Sequence, residues 1–462
     1  MDKKNKMLNP LIHPIFAFIC INWFLIFTPF LSFISFLSSL IWTLFLSFLL
    51  LFNHPFLDGY YYGSIISIDT YNIIGLALLT LFLIFYLFSF FNSSIKHYKE
   101  FPLLLLLIYI GFTTFILSND LIILYLSIEL FSLTFYLITT IHQNYYTTEA
   151  GIKYFIFNFI AGGFYLLGCT LIYMNYGTIN FVQLMELNPF MGKEGWPFIL
   201  IIISFLFKLS IAPFHFWTPD VYQGVLYPIT GFFTIYPKFI IITLFVKLYI
   251  YIMYLPFFNY ILLSLGLLSV FVGTINGFQQ INLKRLLAYS TISNAGYLLI
   301  LIGIGSPIAI EYVFIYIMTY IIANIGIFTI LAHINVSNII QLRNIFYNNK
   351  LYGFFLTLPI LSLAGLPPLV GFMGKYISIY IIYNSELEII GGILLLLSII
   401  SLYYYLRIVH YIFFYNQINN NGSYPDIYQA YVVIIVNISI VILTINPSII
   451  FLIAKILSLS LH

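Results

Sequence analysis

Long apolar runs alternate with short polar stretches along this chain, and the runs repeatedly reach the roughly 20 residues that cross a bilayer as a helix. Their spacing predicts fourteen spans, at about 15–30, 33–52, 72–92, 102–118, 120–141, 150–174, 197–217, 222–252, 257–279, 285–305, 308–333, 351–383, 387–415 and 428–457. Most connections are short, the longest falling between spans 2 and 3, 6 and 7, and 11 and 12. A transmembrane β-barrel would show alternating segments of about 10 residues instead. The expected fold is an all-α polytopic membrane protein, one membrane domain over residues 1–462.

Two spans are interrupted by proline beside a lone lysine. The seventh reads Phe207-Lys208-Leu209-Ser210-Ile211-Ala212-Pro213; the twelfth reads Leu363-Ala364-Gly365-Leu366-Pro367-Pro368, with Lys375 soon after. A lysine deep in hydrocarbon is costly, and so is a broken helix, so the coincidence of both, twice, points to two ion sites on one plan. An offset of five spans makes equivalent helices cross in opposite directions. Spans 4–8, about 102–252, and spans 9–13, about 257–415, are therefore expected to be inverted five-helix repeats. Spans 1–3, about 15–92, and the final helix flank them.

Composition agrees: 62% of residues are hydrophobic and 7% charged, where soluble domains carry about a quarter. A net charge of +3 gives no reason to expect nucleic acid. Cys20 and Cys169 lie inside apolar spans, with no spacing for a metal, cluster or disulfide. Lys3, Lys4 and Lys6 ahead of an apolar stretch imitate a signal peptide, but the stretch runs to about Phe52, too long for a cleavable core. The abundance of Phe, Ile, Leu, Tyr, Asn and Lys suits AT-rich codons, as in an organelle genome or an AT-rich bacterium. An even span count puts both termini on one side. Lys96, Lys99, Lys284, Arg285, Arg343, Lys350 and Arg407 fall on the other; beyond the tail, Lys193 and Lys455 fall on the terminal side. The bias places the termini outside, although the tail lysines oppose it.

Glu129, Lys208 and Lys238 fall near the middle of their spans, too far from either surface to snorkel, and intramembrane charge defaults to function. Lys375 follows the second break, and Lys153 sits nearer one end of its span. Lys247, Lys455 and Arg407, near span ends, are expected to snorkel or anchor loops. A charge pair at ~4 Å gains ~4 kcal/mol at an effective dielectric near 20, and half of that at ~8 Å. Small movements of Glu129 against Lys208 would thus load or release a proton. His215, beside Trp217, is either a bridge between lysine stations or a satisfied polar residue at the membrane boundary. Glu149 and Asp220 are expected in short loops, as caps or loop ligands, and Glu311 is open. Gly303 and Gly305 lack the third glycine and strand of a nucleotide loop. Asn421-Gly422-Ser423 matches a glycosylation acceptor but falls inside on this orientation. No site for a flavin, haem, metal or nicotinamide is expected.

These residues resemble the antiporter-like membrane subunits of respiratory complex I. The likeness rests on Tyr125-Leu126-Ser127-Ile128-Glu129-Leu130 and on Glu149-Ala150-Gly151-Ile152-Lys153-Tyr154-Phe155. It continues through Phe207-Lys208 to Pro213-Phe214-His215-Phe216-Trp217-Thr218-Pro219-Asp220-Val221-Tyr222-Gln223-Gly224. Lys284-Arg285-Leu286-Leu287-Ala288-Tyr289-Ser290, Ala364-Gly365-Leu366-Pro367-Pro368 and Gly371-Phe372-Met373-Gly374-Lys375 complete it. The resemblance implies fourteen helices with inverted five-helix repeats. It places Glu129, Lys153, Lys208, Lys238 and Lys375 on a proton path. It implies no cofactor in this chain, since NADH, FMN, iron–sulfur clusters and ubiquinone belong to other subunits. The implied partners are other membrane-arm subunits and lipid, in the mitochondrial inner membrane, or a bacterial inner membrane or plastid thylakoid. Asn294 departs from the pattern, standing where relatives commonly carry histidine; asparagine hydrogen-bonds water but stores no proton. The function implied is proton translocation driven by quinone reduction elsewhere in the complex. The rivals are a subunit of a cation/proton antiporter and a structural subunit that does not pump.

Overall fold

The computed structural model describes residues 40–45, 59–61, 64–87, 90, 98–187, 195–252, 256–343, 345–348, 350–385, 387–414 and 427–460. The first predicted span, most of the second, Cys20, the tail lysines, Lys96, Lys193 and Asn421-Gly422-Ser423 lie outside the described residues. A hairpin of β1 (Gly59–Tyr61) and β2 (Ile66–Ile68) precedes α1 (Thr70–Leu87), α2 (Phe101–Leu117), α3 (Leu121–Thr140) and α4 (Tyr145–Tyr176). Then come α5 (Phe181–Glu186), α6 (Trp196–Leu209), α7 (Trp217–Gly224), α8 (Tyr227–Ile252), α9 (Pro256–Gln279), α10 (Leu283–Ile304) and α11 (Pro307–Ile334). The last are α12 (Ile345–Asn348), α13 (Lys350–Ala364), α14 (Val370–Asn384), α15 (Glu388–Phe414), α16 (Ile427–Ile445) and α17 (Ser448–Leu459). Among the described residues eight helices are long and apolar enough to cross a membrane, and α16 with α17 makes nine if counted as one span. The chain is thus a mostly helical, multi-pass membrane protein, as its apolar runs require: in lipid, a helix is the way one segment satisfies its own backbone.

The chain forms two compact units. The first takes residues 1–208 and 240–255, the second 209–239 and 256–460. In the first, α3 packs between α2 and α4. Asp120 caps α3 by accepting from the Ile122 amide at 2.8 Å, and Gly177, at φ +70, ends α4. In the second, α10 and α11 are buried along almost their whole length. The tightest helix pair there is α9 with α10. A Cβ on Gly273 would lie 2.7 Å from the Ser293 amide nitrogen, and one on Gly296 2.2 Å from Ser269 Oγ. Those glycines let the two backbones touch, as small residues do between membrane helices.

Three elements depart from expectation. The fold is not purely helical: the connection ahead of α1 pairs as a short antiparallel hairpin. Side chains hold it, Asn72 donating to the Ser67 carbonyl at 2.8 Å and Asn119 and Asn180 both donating to the Ser64 carbonyl. The final helix, expected as one span over 428–457, is two helices meeting at 85°. Pro447 supplies no amide hydrogen there, and the Asn446 carboxamide accepts from the Ser448 amide to start the new helix. Glu149 and Asp220 lie on α4 and α7 rather than in loops, because both helices start earlier than hydropathy alone signals.

Placing valine at Gly273 should force α9 from α10 and lower stability by about 1–3 kcal/mol. Thermal unfolding of the purified protein checks this; an unchanged midpoint would contradict the close packing.

Candidate ion-conducting sites

Both predicted helix breaks are present. The first interrupts the chain between α6 and α7; Ser210 turns it with φ +59 and the Ala212–Pro213 bond is cis. Lys208 sits in the last turn of α6, where unpaired carbonyls make the helix end negative. The residue is 7% exposed, and its ammonium donates to Asn158 Oδ1 at 3.0 Å and lies 5.5 Å over the Phe131 ring. Asn158 is fixed in turn by donating to the Tyr154 carbonyl, one turn back on α4. The Glu129 carboxylate, on α3, lies within electrostatic reach of this ammonium. It fits because Gly162 has no side chain: a Cβ there would lie 2.7 Å from Glu129 Oε1. Glu129 thus acts on Lys208 through space, while the hydrogen bond goes to a neutral amide. Lys153, also on α4, is half exposed and pairs with Glu149 at 2.8 Å along the helix face.

The second break separates α13 from α14, and the Pro367–Pro368 bond is cis. Gly365, at φ +79, closes α13 with its amide on the Leu361 and Ser362 carbonyls. The chain doubles back so tightly that a Cβ on Gly371 would lie 1.9 Å from the Ser362 carbonyl oxygen. This return lays Lys375 across the end of α13. The residue is 7% exposed, and its ammonium donates to the Ala364 carbonyl at 3.1 Å and to Ser401 Oγ at 3.3 Å, and lies 5.5 Å over the Tyr405 ring. Asn294, Tyr316, Thr319, Tyr320, Ser362 and Lys375, with Leu363 and Gly371, line a small cavity with room for about one water. The Asn294 carboxamide, buried, donates to the Ser290 carbonyl at 2.9 Å and accepts from the Tyr316 hydroxyl at 2.8 Å.

Lys238, on α8, is 3% exposed and donates to the Thr291 carbonyl of α10 at 2.9 Å, one turn from Asn294. His215 is buried in the turn before α7 against Phe216, and among the described residues its Nδ1 has no hydrogen-bond partner and no lysine bonds to it. Asp220 pairs with Arg285 at 3.0 Å, and Lys284 donates to the Val225 carbonyl at the end of α7. Arg407 anchors the end of α9 through the Phe278 and Gln280 carbonyls. Among the described residues no group of three His, Cys, Asp or Glu could hold a metal. Hydropathy missed Asn158, Thr291, Ser401 and Tyr316, the partners rather than the charges. A lone asparagine five residues from Lys153 in an apolar span was the one available signal.

Gly371→Ala should push α14 from α13 and take Lys375 Nζ beyond hydrogen-bond reach of the Ala364 carbonyl. A cryo-EM map of the variant reads this distance, and an unchanged contact would contradict the account of the break.

Comparison with known proteins shows the family. The family model described as NADH:quinone oxidoreductase/Mrp antiporter, transmembrane, matches residues 118–401, which include both breaks and all the buried lysines above. NADH-quinone oxidoreductase subunit N of Rhodospirillum rubrum is 34% identical over 331 residues, covering 68% of this chain and 67% of that protein. NADH-ubiquinone oxidoreductase chain 2 of Rhizopus oryzae is 34% identical over 342 residues, covering 70% of this chain and 65% of that one. A chain of respiratory complex I from Thermus thermophilus shares the fold, with a TM-score of 0.80 over 96% of this chain and 98% of that one at 24% identity. The resemblance read from the sequence therefore holds, and the chain belongs to the NADH:quinone oxidoreductase/Mrp antiporter family of membrane subunits.

Proposed function

We propose that this chain is a proton-translocating membrane-arm subunit of an NADH:quinone oxidoreductase, corresponding to subunit N or chain 2 of its relatives. The observation that carries the reading is that Lys208, Lys238 and Lys375 are all buried, and each ammonium donates to neutral oxygen. A hydrogen bond to a charged group contributes about 1.5–3 kcal/mol, which offsets part of the desolvation of the ammonium. No buried carboxylate bonds directly to these amines among the described residues, so losing a proton strands no opposite charge. An amine held in this way can cycle between charged and neutral forms. Glu129 biases Lys208 through space, and movement of Glu129 would change that bias.

Protons would then move by way of Glu129, Lys153 and Lys208 in the first unit and His215, Lys238 and Lys375 in the second. The driving event is quinone reduction elsewhere in the complex, and this chain carries no redox centre. The proposal includes fourteen spans with inverted repeats over about 102–252 and 257–415 in one membrane domain. It includes termini on the intermembrane-space side of a mitochondrial inner membrane, the residue bias being the support for that compartment. Its partners would be the other membrane-arm subunits and the surrounding lipid. The family also contains cation/proton antiporter subunits. Copurification with flavin and iron–sulfur proteins separates the two settings.

Lys208→Ala should lower the protons moved per NADH oxidised by the assembled complex in vesicles. Full stoichiometry in that variant would overturn the role assigned to Lys208.

A further inference from the structure

A fourth buried lysine lies outside these sites. Lys247 is 8% exposed, five residues before the end of α8, and belongs to the first unit. It does not snorkel. Its ammonium donates to Ser67 Oγ, on β2, at 2.9 Å. The same oxygen accepts from Asn72 Nδ2 at 3.0 Å, and Asn72 also donates to the Ser67 carbonyl, so the hydroxyl is held in place from α1. Asp69, the residue before α1, is half buried and acts electrostatically on the ammonium. Tyr71 ties α1 to α8 through the Thr243 carbonyl, one turn before Lys247. Among the described residues, Asp69 and Tyr71 are the titratable groups that the hairpin and α1 turn toward this end of α8.

We propose that Lys247, Ser67 and Asp69 form a proton-release site at the end of α8, an assignment that rests on the proton-translocating reading above. Three features fit it. The amine is buried while the carboxylate is half exposed, which gives the pair a direction toward the membrane face. With the termini outside, the Asp69 end of α1 is the outer end. The serine suits both protonation states of its neighbour. Its oxygen accepts from the ammonium, and its own O–H can turn to donate to the lone pair of the neutral amine. The Thr291 backbone carbonyl, which accepts from Lys238, has no proton to offer in that exchange.

The step is a simple transfer. An Nζ–H bond of Lys247 breaks and an O–H bond forms on an Asp69 carboxylate oxygen, the proton crossing between them through water. Asp69 passes the proton to bulk water and regains its charge. The neutral amine of Lys247 accepts from Ser67 until it is reloaded from inside the membrane.

Lys247→Arg separates this role from a structural one, because arginine keeps the cation and its donors but does not release a proton. In the assembled complex in vesicles, protons moved per NADH oxidised should fall to the level of Lys208→Ala. Full stoichiometry in Lys247→Arg beside a loss in Lys208→Ala would overturn the release site and leave the translocation reading standing. Full stoichiometry in both would overturn both. Should the arginine variant not assemble, Asp69→Asn decides by the same readout: it keeps the size of the side chain and cannot carry the proton. A loss supports the site, and full stoichiometry rejects it.

Discussion

An ammonium group cannot be left bare in hydrocarbon, and neither can a backbone carbonyl. This protein answers both requirements with the same contact. At the second break the end of α13 leaves its carbonyls without helical partners, and Lys375 donates to one of them. At the first break Lys208 occupies the final turn of α6, within the negative end of that half-helix. Removing Lys375 would strand the Ala364 carbonyl, and closing the second break would take that partner from the lysine. Break and charge are therefore one device, and the tight return at Gly371 is what brings its two parts together.

The choice of neutral partners is the second constraint. A buried ion pair broken by loss of one partner costs about 3–5 kcal/mol, which would pin a lysine to its charged form. Asn158, the Thr291 and Ala364 carbonyls, and Ser401 hold the ammonium groups by dipole alone. Glu129 adds a longer-range term that varies with distance. Asn294 fits this scheme in place of a histidine. Its oxygen takes the Tyr316 proton, which leaves the lone pairs of that hydroxyl to face other groups of the Lys375 cavity. Asn294 itself adds no titrating group beside Lys375, and the Tyr316 and Tyr320 hydroxyls share the cavity.

Much of this was legible in the sequence because it depends on local chemistry. Both breaks fall where Pro213 and Pro367 put them, whereas Pro237, beside Lys238, leaves α8 continuous. The family followed from the strings around Glu129, Lys208 and Lys375. What hydropathy could not give was the identity of partners far apart in sequence. Lys208 finds Asn158, 50 residues away, and Lys247 finds Ser67, 180 residues away. Lys247 was expected to snorkel or to anchor a loop, since only its distance from a span end was visible. It anchors the hairpin, but from a buried position, because β2 and α1 cover it. The bend at Pro447 was missed because proline near the end of an apolar run reads equally well as a kink or as a harmless terminus. The hairpin is too short for a period-2 pattern to stand out.

The account turns on water reaching the buried amines. The direct measurement is a cryo-EM map of the intact complex at a resolution that shows ordered water around Lys208, Asn158 and Glu129, and around Lys375, Asn294 and Tyr316. The account predicts at least one water in contact with each of the two ammonium groups and hydrogen-bonded onward to a polar side chain of the same set. Dry apolar packing around both ammonium groups, or lysine side chains turned out into lipid, would contradict it.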